Sequence, residues 1–392
     1  MRTRSVKRER VEVEIEDGEV SKYFQKDEKD EKDEKDVKKV RSSPAREVID
    51  VQMVKKMKSD TYYDWVDART KDEITYAPLD DQLNFPANFI PIYQKVRLMR
   101  SKITTPVDSV GCAMIPLTVG REFGKTKETM APRTYRFQLL IALMLSSQTK
   151  DEVNAKAMFN LMEHCKDVLK DPQGVTLESM SLIEQNTIAE LIYPVSFYTR
   201  KALYITKTLK LLQDNFGGDI PPDITGLCSL PGVGPKMGYL ALQKAWGKVD
   251  GIGVDVHVDR LCKMWKWVDP HKAKTPEHTR KLLEEWLPYD LWYEINPVLV
   301  GFGQVICLPR GKRCDLCMAN DVCNAVDRKL LKSEKNRTDI RKSRGNVTQW
   351  MKYLEDATDA KETIDKNGNL EVALDENKTR LTDDQEDKKL QS

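Results

Sequence analysis

The stretch "LPGVGPKMGYLAL", Leu230–Leu242, places Gly232 and Gly234 four and two residues ahead of Lys236. A lysine there can act as a phosphate clamp, a solvated surface charge or an amine nucleophile. A nucleotide-binding P-loop is excluded. That motif needs Gly directly before the lysine and Ser or Thr after it, whereas here Pro235 precedes and Met237 follows. Ile224 to Leu230 reads as one short helix and "PGVG" as a turn. Pro235 then opens a second helix, where its fixed φ fits and its missing N–H costs nothing. The product is a helix–hairpin–helix. Its turn is expected to present the amides of Gly232, Val233 and Gly234 at a helix N-terminus, where unpaired N–H groups and the helix dipole attract a phosphate.

Nineteen residues beyond Lys236 lies Asp255, in "GIGVDVHVDRLC". Set among Ile252, Val254, Val256 and Val258, this carboxylate has two readings. It can cap the helix that carries Val258, Leu261 and Cys262, or it can point into a cleft and work with Lys236. His257 reads as structural. Further on, "CLPRGKRCDLCMANDVC" spaces Cys307, Cys314, Cys317 and Cys323 as C-x6-C-x2-C-x5-C. Four thiolates in one loop with no His can enclose a [4Fe–4S] cluster. A structural zinc ion also accepts four cysteines, but zinc sites usually pair two closely spaced couples, so this spacing favours iron–sulfur. The loop also carries Arg310, Lys312 and Arg313, which suit either a phosphate or charge balance for an anionic cluster.

These groups need a scaffold, and from about Arg133 to Asn324 the pattern is helical almost throughout. "RFQLLIALMLSSQ" (Arg136–Gln148) is apolar nearly all round, as a buried helix is. Thr149 and Glu152 have capping-box spacing, so a new helix is expected to start there. Thr199–Gly218 places Leu203, Thr206, Leu209 and Leu212 near one face and ends in a glycine pair suited to a C-cap. "TPEHTRKLLEEWLP" opens with Thr275 as N-cap and Pro276 at N1. No period-two alternation stands out, so the fold class is all-α.

The flanks differ. The 392 residues hold 64 Lys+Arg against 62 Asp+Glu, and "KDEKDEKDEKD" is a low-complexity charge run with nothing apolar to bury. Residues 1–85 read as a disordered, charged extension and 326–392 as a polar, mostly disordered tail. In that tail "VTQWMKYLEDA" can form a helix but has too little apolar surface for a domain. No apolar run approaches the roughly 20 residues that cross a bilayer. "MRTRSVKRER" has no apolar segment after its basic start, so it reads as a nuclear-import signal around Lys7, Arg8 and Arg10, with mitochondrial import as the second reading. Four of the eight cysteines fall in the one loop, which points to an intracellular protein with a metal or cluster site, not to a disulfide scaffold.

Taken together, "LSSQTKDE", "LPGVGPKMG", "VDVH" and the four-cysteine loop resemble, in content and order, the motifs of the endonuclease III family. The long charged extension resembles that of its eukaryotic, fungal members. The resemblance spans roughly Arg133 to Asn324. It implies a helix–hairpin–helix DNA glycosylase fold: two helical lobes, a six-helix barrel and an iron–sulfur cluster lobe, with a DNA cleft between them. The expected organisation is an N-terminal segment at 86–131 that partly joins the cluster lobe, the barrel at 132–249 with its hairpin at about 224–246, and the cluster lobe at 250–325 with its loop at 307–323.

The resemblance further implies a bifunctional DNA N-glycosylase and AP lyase. It would remove oxidised pyrimidines of the thymine glycol type, and ring-opened purines, from double-stranded DNA. Lys236 would be the nucleophile that forms a Schiff base, and Asp255 the carboxylate that stabilises the sugar and moves protons. Gly232, Val233 and Gly234 would hold the DNA backbone. Gln148 would fill the gap left by the flipped base, and Phe197, in "YPVSFYTRKA", would wedge into the stack; polar helix closure and ordinary packing are their plainer readings. Asp151 would organise the site. Cys307, Cys314, Cys317 and Cys323 would bind a [4Fe–4S] cluster. The expected partner is DNA with oxidised bases or abasic sites, bound by a monomer whose tails reach downstream repair proteins. Two rival readings are a monofunctional adenine glycosylase of the same superfamily, which lacks the lysine, and a non-catalytic DNA-binding module.

Overall fold

The computed structural model describes residues 49–70, 85–331 and 345–359. Every element among them is helical, and the sole β pairing is an isolated antiparallel bridge between Thr104 and Asn346. The all-α expectation therefore holds. None of the described helices is long and apolar enough to cross a membrane. The chain forms two compact units. One takes the described residues up to Val66 with Ile115–Gly253; the other takes Asp67–Met114 and the described residues from Val254 onward.

The first unit is built round helix Pro132–Ser146, buried without interruption from Thr134 to Leu145. Helices Ile115–Glu122, Asp151–Asp167 and Pro235–Trp246 pack on it. Its buried charge is Arg136, 1 % exposed, whose Nε and Nη2 donate to Asp219 at 3.1 and 2.5 Å. The same guanidinium lies over the Trp246 ring, 4.6 Å from its centroid, and 5.5 Å from that of Tyr62. Trp246 in turn donates its indole N–H to the Pro221 carbonyl (3.1 Å), and Lys248 its ammonium to that of Pro222 (2.8 Å). The segment entering the hairpin is thus pinned from the far end of the hairpin helix.

Several local expectations are met. Helix Tyr198–Phe216 ends on Gly217 in the left-handed region, whose amide returns to the Leu212 carbonyl. Thr275 caps helix Pro276–Glu284 through the His278 amide. Two expectations fail. Helix Asp151–Asp167 starts where expected, but its N-cap is Lys150 with no side-chain bond, because the Thr149 hydroxyl donates to the Ser147 carbonyl instead. The buried face of Tyr198–Phe216 runs through Lys201, Ala202, Ile205, Thr208, Leu209 and Leu212, leaving Leu203 exposed.

The flanks also depart from expectation. Within the supposed extension, residues 51–70 form helices Val51–Lys56 and Ser59–Thr70. Tyr62 and Tyr63 are buried there, their hydroxyls donating to the Ala245 (2.7 Å) and Met130 (3.0 Å) carbonyls. The charge run that suggested disorder lies outside the described residues, and it says nothing about the aromatic pair that follows it.

In the second unit, helix Ile295–Val305 packs against Phe89–Ser101 and Val256–Met264. Phe89 stacks on Tyr93 and meets Trp267 and Trp286 edge-on. A buried pair, Arg97 to Glu294 at 3.0 Å, is completed by the Tyr93 hydroxyl, which donates to Glu294 at 2.7 Å. Helix Thr348–Asp359 belongs to this unit and is more than a polar appendage: Trp350 is fully buried and donates its indole N–H to the Leu316 carbonyl at 3.0 Å. Residues 345–347 are fixed beside Thr104 by two backbone bonds, and the Lys102 ammonium lies over the Tyr353 ring.

Asp219→Asn leaves the Arg136 charge buried without its counter-ion. It is expected to destabilise the protein by about 3–5 kcal/mol, seen as a lower midpoint in denaturant unfolding; an unchanged midpoint would show that the pair does not hold this unit together.

Candidate active site and cluster loop

The hairpin consists of helices Ile224–Cys228 and Pro235–Trp246, the first capped by Asp223 through the Gly226 amide at 2.8 Å. Between them the Val233 amide donates to the Leu230 carbonyl at 3.1 Å and closes the turn. Val233 therefore has no N–H left for a ligand, contrary to the expectation that three amides are presented. The Gly232 and Gly234 amides have no partner among the described residues. Gly232 is at φ +79°, and a β-carbon there would come within 2.6 Å of the Tyr204 ring, so the turn requires glycine on both counts. Gly234 is the N-cap and Pro235 occupies N1, which leaves the first turn of the helix open toward solvent on the glycine side.

Lys236 follows in the first turn, half-buried, and its ammonium makes no hydrogen bond or ion pair among the described residues. A lysine serving as structural glue would be expected to show one. Asp255 is the N-cap of helix Val256–Met264, and one oxygen, Oδ1, accepts from both the His257 and Val258 amides at 2.9 Å. The capping reading is correct, yet it occupies only Oδ1. Oδ2 takes no hydrogen bond among the described residues. His257 is packed against Gly303, where a β-carbon would come within 2.7 Å of its ring. Its role is close packing. Lys236 lies in the first unit and Asp255 just past its end, in the second.

Gln148 and Phe197 are both exposed, and both sit in the left-handed backbone region at φ 51° and 56°. They lie in neighbouring loops, since the Ser196 hydroxyl donates to the Gln148 carbonyl at 2.7 Å. Asp151 is the first residue of its helix. A residue not singled out in the sequence, Lys201, is buried beside them. Burial pushes its amine down to about 8, while hydrogen bonds to the Leu145 and Ser147 carbonyls and the Thr149 hydroxyl work to keep the proton on. The signal that could have found it is a lysine on the apolar stripe of an otherwise amphipathic helix.

Cys307, Cys314, Cys317 and Cys323 all line one cavity, together with Trp265, Phe302, Lys312 and Arg313. Among the described residues no three metal-ligating side chains converge on an ion-sized point. The four thiols face the same cavity without converging on one point. Two sulfurs already accept backbone N–H groups, Cys314 from Asp327 and Cys323 from Ala325, each at 3.4 Å; amide bonds of this kind stabilise a cluster-bound thiolate. Burial pushes the Cys317 and Cys307 thiols up, so a cluster must displace their protons on binding. The residues present fit a four-cysteine cluster. The cations of the loop divide: Lys312 donates to the Ala325 carbonyl and Arg313 pairs with Asp315, whereas Arg310 is exposed. Arg260, on the helix capped by Asp255, donates to the Cys307 carbonyl at 2.6 Å.

Residues 141–289 match the HhH-GPD superfamily of base excision DNA repair proteins. Endonuclease III homolog 2 of Saccharomyces cerevisiae is 51 % identical over 343 residues, which cover 85 % of this chain and 90 % of the yeast protein. The chain belongs to the endonuclease III family. Endonuclease III homolog 1 of the same yeast is 45 % identical over 318 residues, covering 78 % of this chain and 79 % of the homolog. A solved endonuclease III–DNA covalent intermediate is 27 % identical, with a TM-score of 0.44, over 48 % of this chain and 84 % of that one. As an endonuclease III homolog of the fungal type, the protein is a base-excision repair DNA glycosylase with a helix–hairpin–helix fold, and DNA is its partner.

Purified protein is expected to be brown, absorbing near ~400 nm with about four irons per chain. Trp350→Ala, which opens the space above Leu316, is expected to shorten the lifetime of that absorbance in air. Colourless protein containing stoichiometric zinc would overturn the cluster assignment.

Proposed function

We propose that this glycosylase is bifunctional, and that Lys236 is its nucleophile. The observation that carries the reading is the environment of Lys236: an ammonium with no partner among the described residues, in the first turn of the hairpin helix, beside two glycine amides that lack partners there as well. A phosphate held by Gly232 and Gly234 brings the neighbouring sugar to the lysine. An amine attacks only when unprotonated. The Lys236 nitrogen forms a bond to C1′ of a flipped nucleotide as the C1′–N glycosidic bond breaks, and the base leaves with that electron pair and gains a proton. Loss of a proton from the sugar nitrogen and ring opening give the Schiff base. Removal of a C2′ proton then expels the 3′ phosphate, which cuts the strand by β-elimination.

Asp255 supplies the carboxylate. With Oδ1 committed to the helix cap, Oδ2 is the oxygen that stabilises the cationic sugar and carries protons. Gln148 fills the gap left by the base and Phe197 wedges into the stack. Cys307, Cys314, Cys317 and Cys323 hold a [4Fe–4S] cluster, which fixes the fold of its loop. The substrates are oxidised pyrimidines and ring-opened purines in duplex DNA, and abasic sites. An adenine glycosylase of the same superfamily lacks this lysine, and a non-catalytic module has no need for a free Lys236 and a free Asp255 oxygen together. Nuclear action, with mitochondrial import as a second route, rests on Lys7, Arg8 and Arg10, which lie outside the described residues.

Borohydride is expected to trap a covalent complex between the protein and duplex DNA bearing an abasic site, and Lys236→Gln to abolish it; trapping that survives the change would move the nucleophile elsewhere. Asp255→Asn keeps a capping oxygen, so folding and DNA binding are expected to persist while turnover falls about 10²–10⁴-fold. Near-normal turnover would remove Asp255 from the mechanism.

A further inference from the structure

Gln148 and Phe197 are 49 residues apart in sequence, yet both are exposed and both hold a left-handed backbone that non-glycine residues seldom adopt. Such a conformation persists where its surroundings over-determine it. Here two side chains from the Phe197 segment do so. Ser196 donates to the Gln148 carbonyl itself. Lys201, in the first turn of the helix whose N-cap is Phe197, donates to the Leu145 carbonyl at 2.6 Å, the Ser147 carbonyl at 2.7 Å and the Thr149 hydroxyl at 3.2 Å. All three donors of the ammonium are used.

A lysine that only capped helix Pro132–Ser146 would need its last carbonyls and no more. This one also grips the residue on each side of Gln148. Each residue from 147 to 149 is therefore tied to the 196–201 segment, Ser147 and Gln148 through their carbonyls and Thr149 through its hydroxyl.

We propose that Lys201 is a positioning residue that locks the Gln148 loop to the Phe197 turn, so that the two exposed side chains enter the duplex as one rigid, two-pronged wedge. This rests on the roles given above to Gln148 and Phe197. A glutamine amide offers both a donor and an acceptor to the base left without its partner, and a phenyl ring stacks on a neighbouring base. Extruding a nucleotide breaks both its stacking and its pairing, so the gap it leaves closes again unless it is filled. Prongs that yield independently would let the stack close again. Lys201 touches neither DNA nor the reacting sugar in this scheme, and acts only through the two residues it holds.

The test compares single-turnover base removal from a fully paired duplex with removal of the same lesion from an unpaired bubble, where there is no stack to open. Lys201→Met is expected to slow the duplex reaction about 10- to 100-fold, as small misplacements near a reacting group do, and the loss is expected to shrink markedly in the bubble. Added to the Gln148→Ala/Phe197→Ala double variant, Lys201→Met is expected to cause little further loss, because the three residues act as a unit. Ser196→Ala removes the second tie without stranding a buried charge and is expected to show a smaller loss with the same split; it decides the matter if Lys201→Met does not fold. Equal loss on both substrates, or full additivity with the double variant, would reduce Lys201 to a structural residue. If the unaltered protein removes the lesion from neither substrate, the underlying assignment of lesion and chemistry fails instead, a result distinct from either.

Discussion

The first unit depends on its most deeply buried charge, that of Arg136. Its guanidinium cannot be left bare in an apolar interior, so everything that satisfies it is fixed in place. Asp219 is drawn to it from the segment before the hairpin, and Trp246 lies beneath it from the far end of the hairpin helix. Tyr62 closes the third side from a helix more than seventy residues earlier in the chain. Burying an ion pair gives little net stability compared with an apolar alternative, but it tolerates few arrangements. Here that intolerance sets the position of both ends of the hairpin, and with them the position of Lys236.

The hairpin repeats the logic at smaller scale. Its turn is closed internally by the Val233 amide, and Gly232 is held against Tyr204. What remains outward is a short set of groups with no partner among the described residues: two amides, one ammonium. Asp255 shows the same economy, with one oxygen serving the fold and the other left over. The proposed chemistry draws on this unspent hydrogen-bonding capacity next to rigid backbone, since preorganised donors act without reorganisation at the moment of reaction.

Much of this was legible in the residues. Pro235, Gly232 and Gly234 announce the hairpin because their backbone chemistry permits little else there, and the glycine pair ending Tyr198–Phe216 and the Thr275 cap are local signals of the same kind. What escaped was set by distant partners. Thr149 fails as a cap because its hydroxyl turns to Ser147, and the lysine that also reaches it comes from position 201. The stripe on helix Tyr198–Phe216 was displaced because Lys201, polar by type, is buried through three acceptors no periodicity reveals. Tyr62, Tyr63 and Trp350 lie in segments whose neighbours are strongly charged, so average composition hid aromatic side chains that find a place in a core elsewhere in the chain.

Trp350 carries a consequence for the order of events. It lies 27 residues beyond Cys323, and its indole reaches back to the carbonyl between Cys314 and Cys317. On a growing chain all four cysteines are complete before the residue that clasps their loop has been made. The loop therefore reaches its described fold only when chain made after it has folded back onto it. The last described helix works as a clasp on a loop that precedes it in the chain.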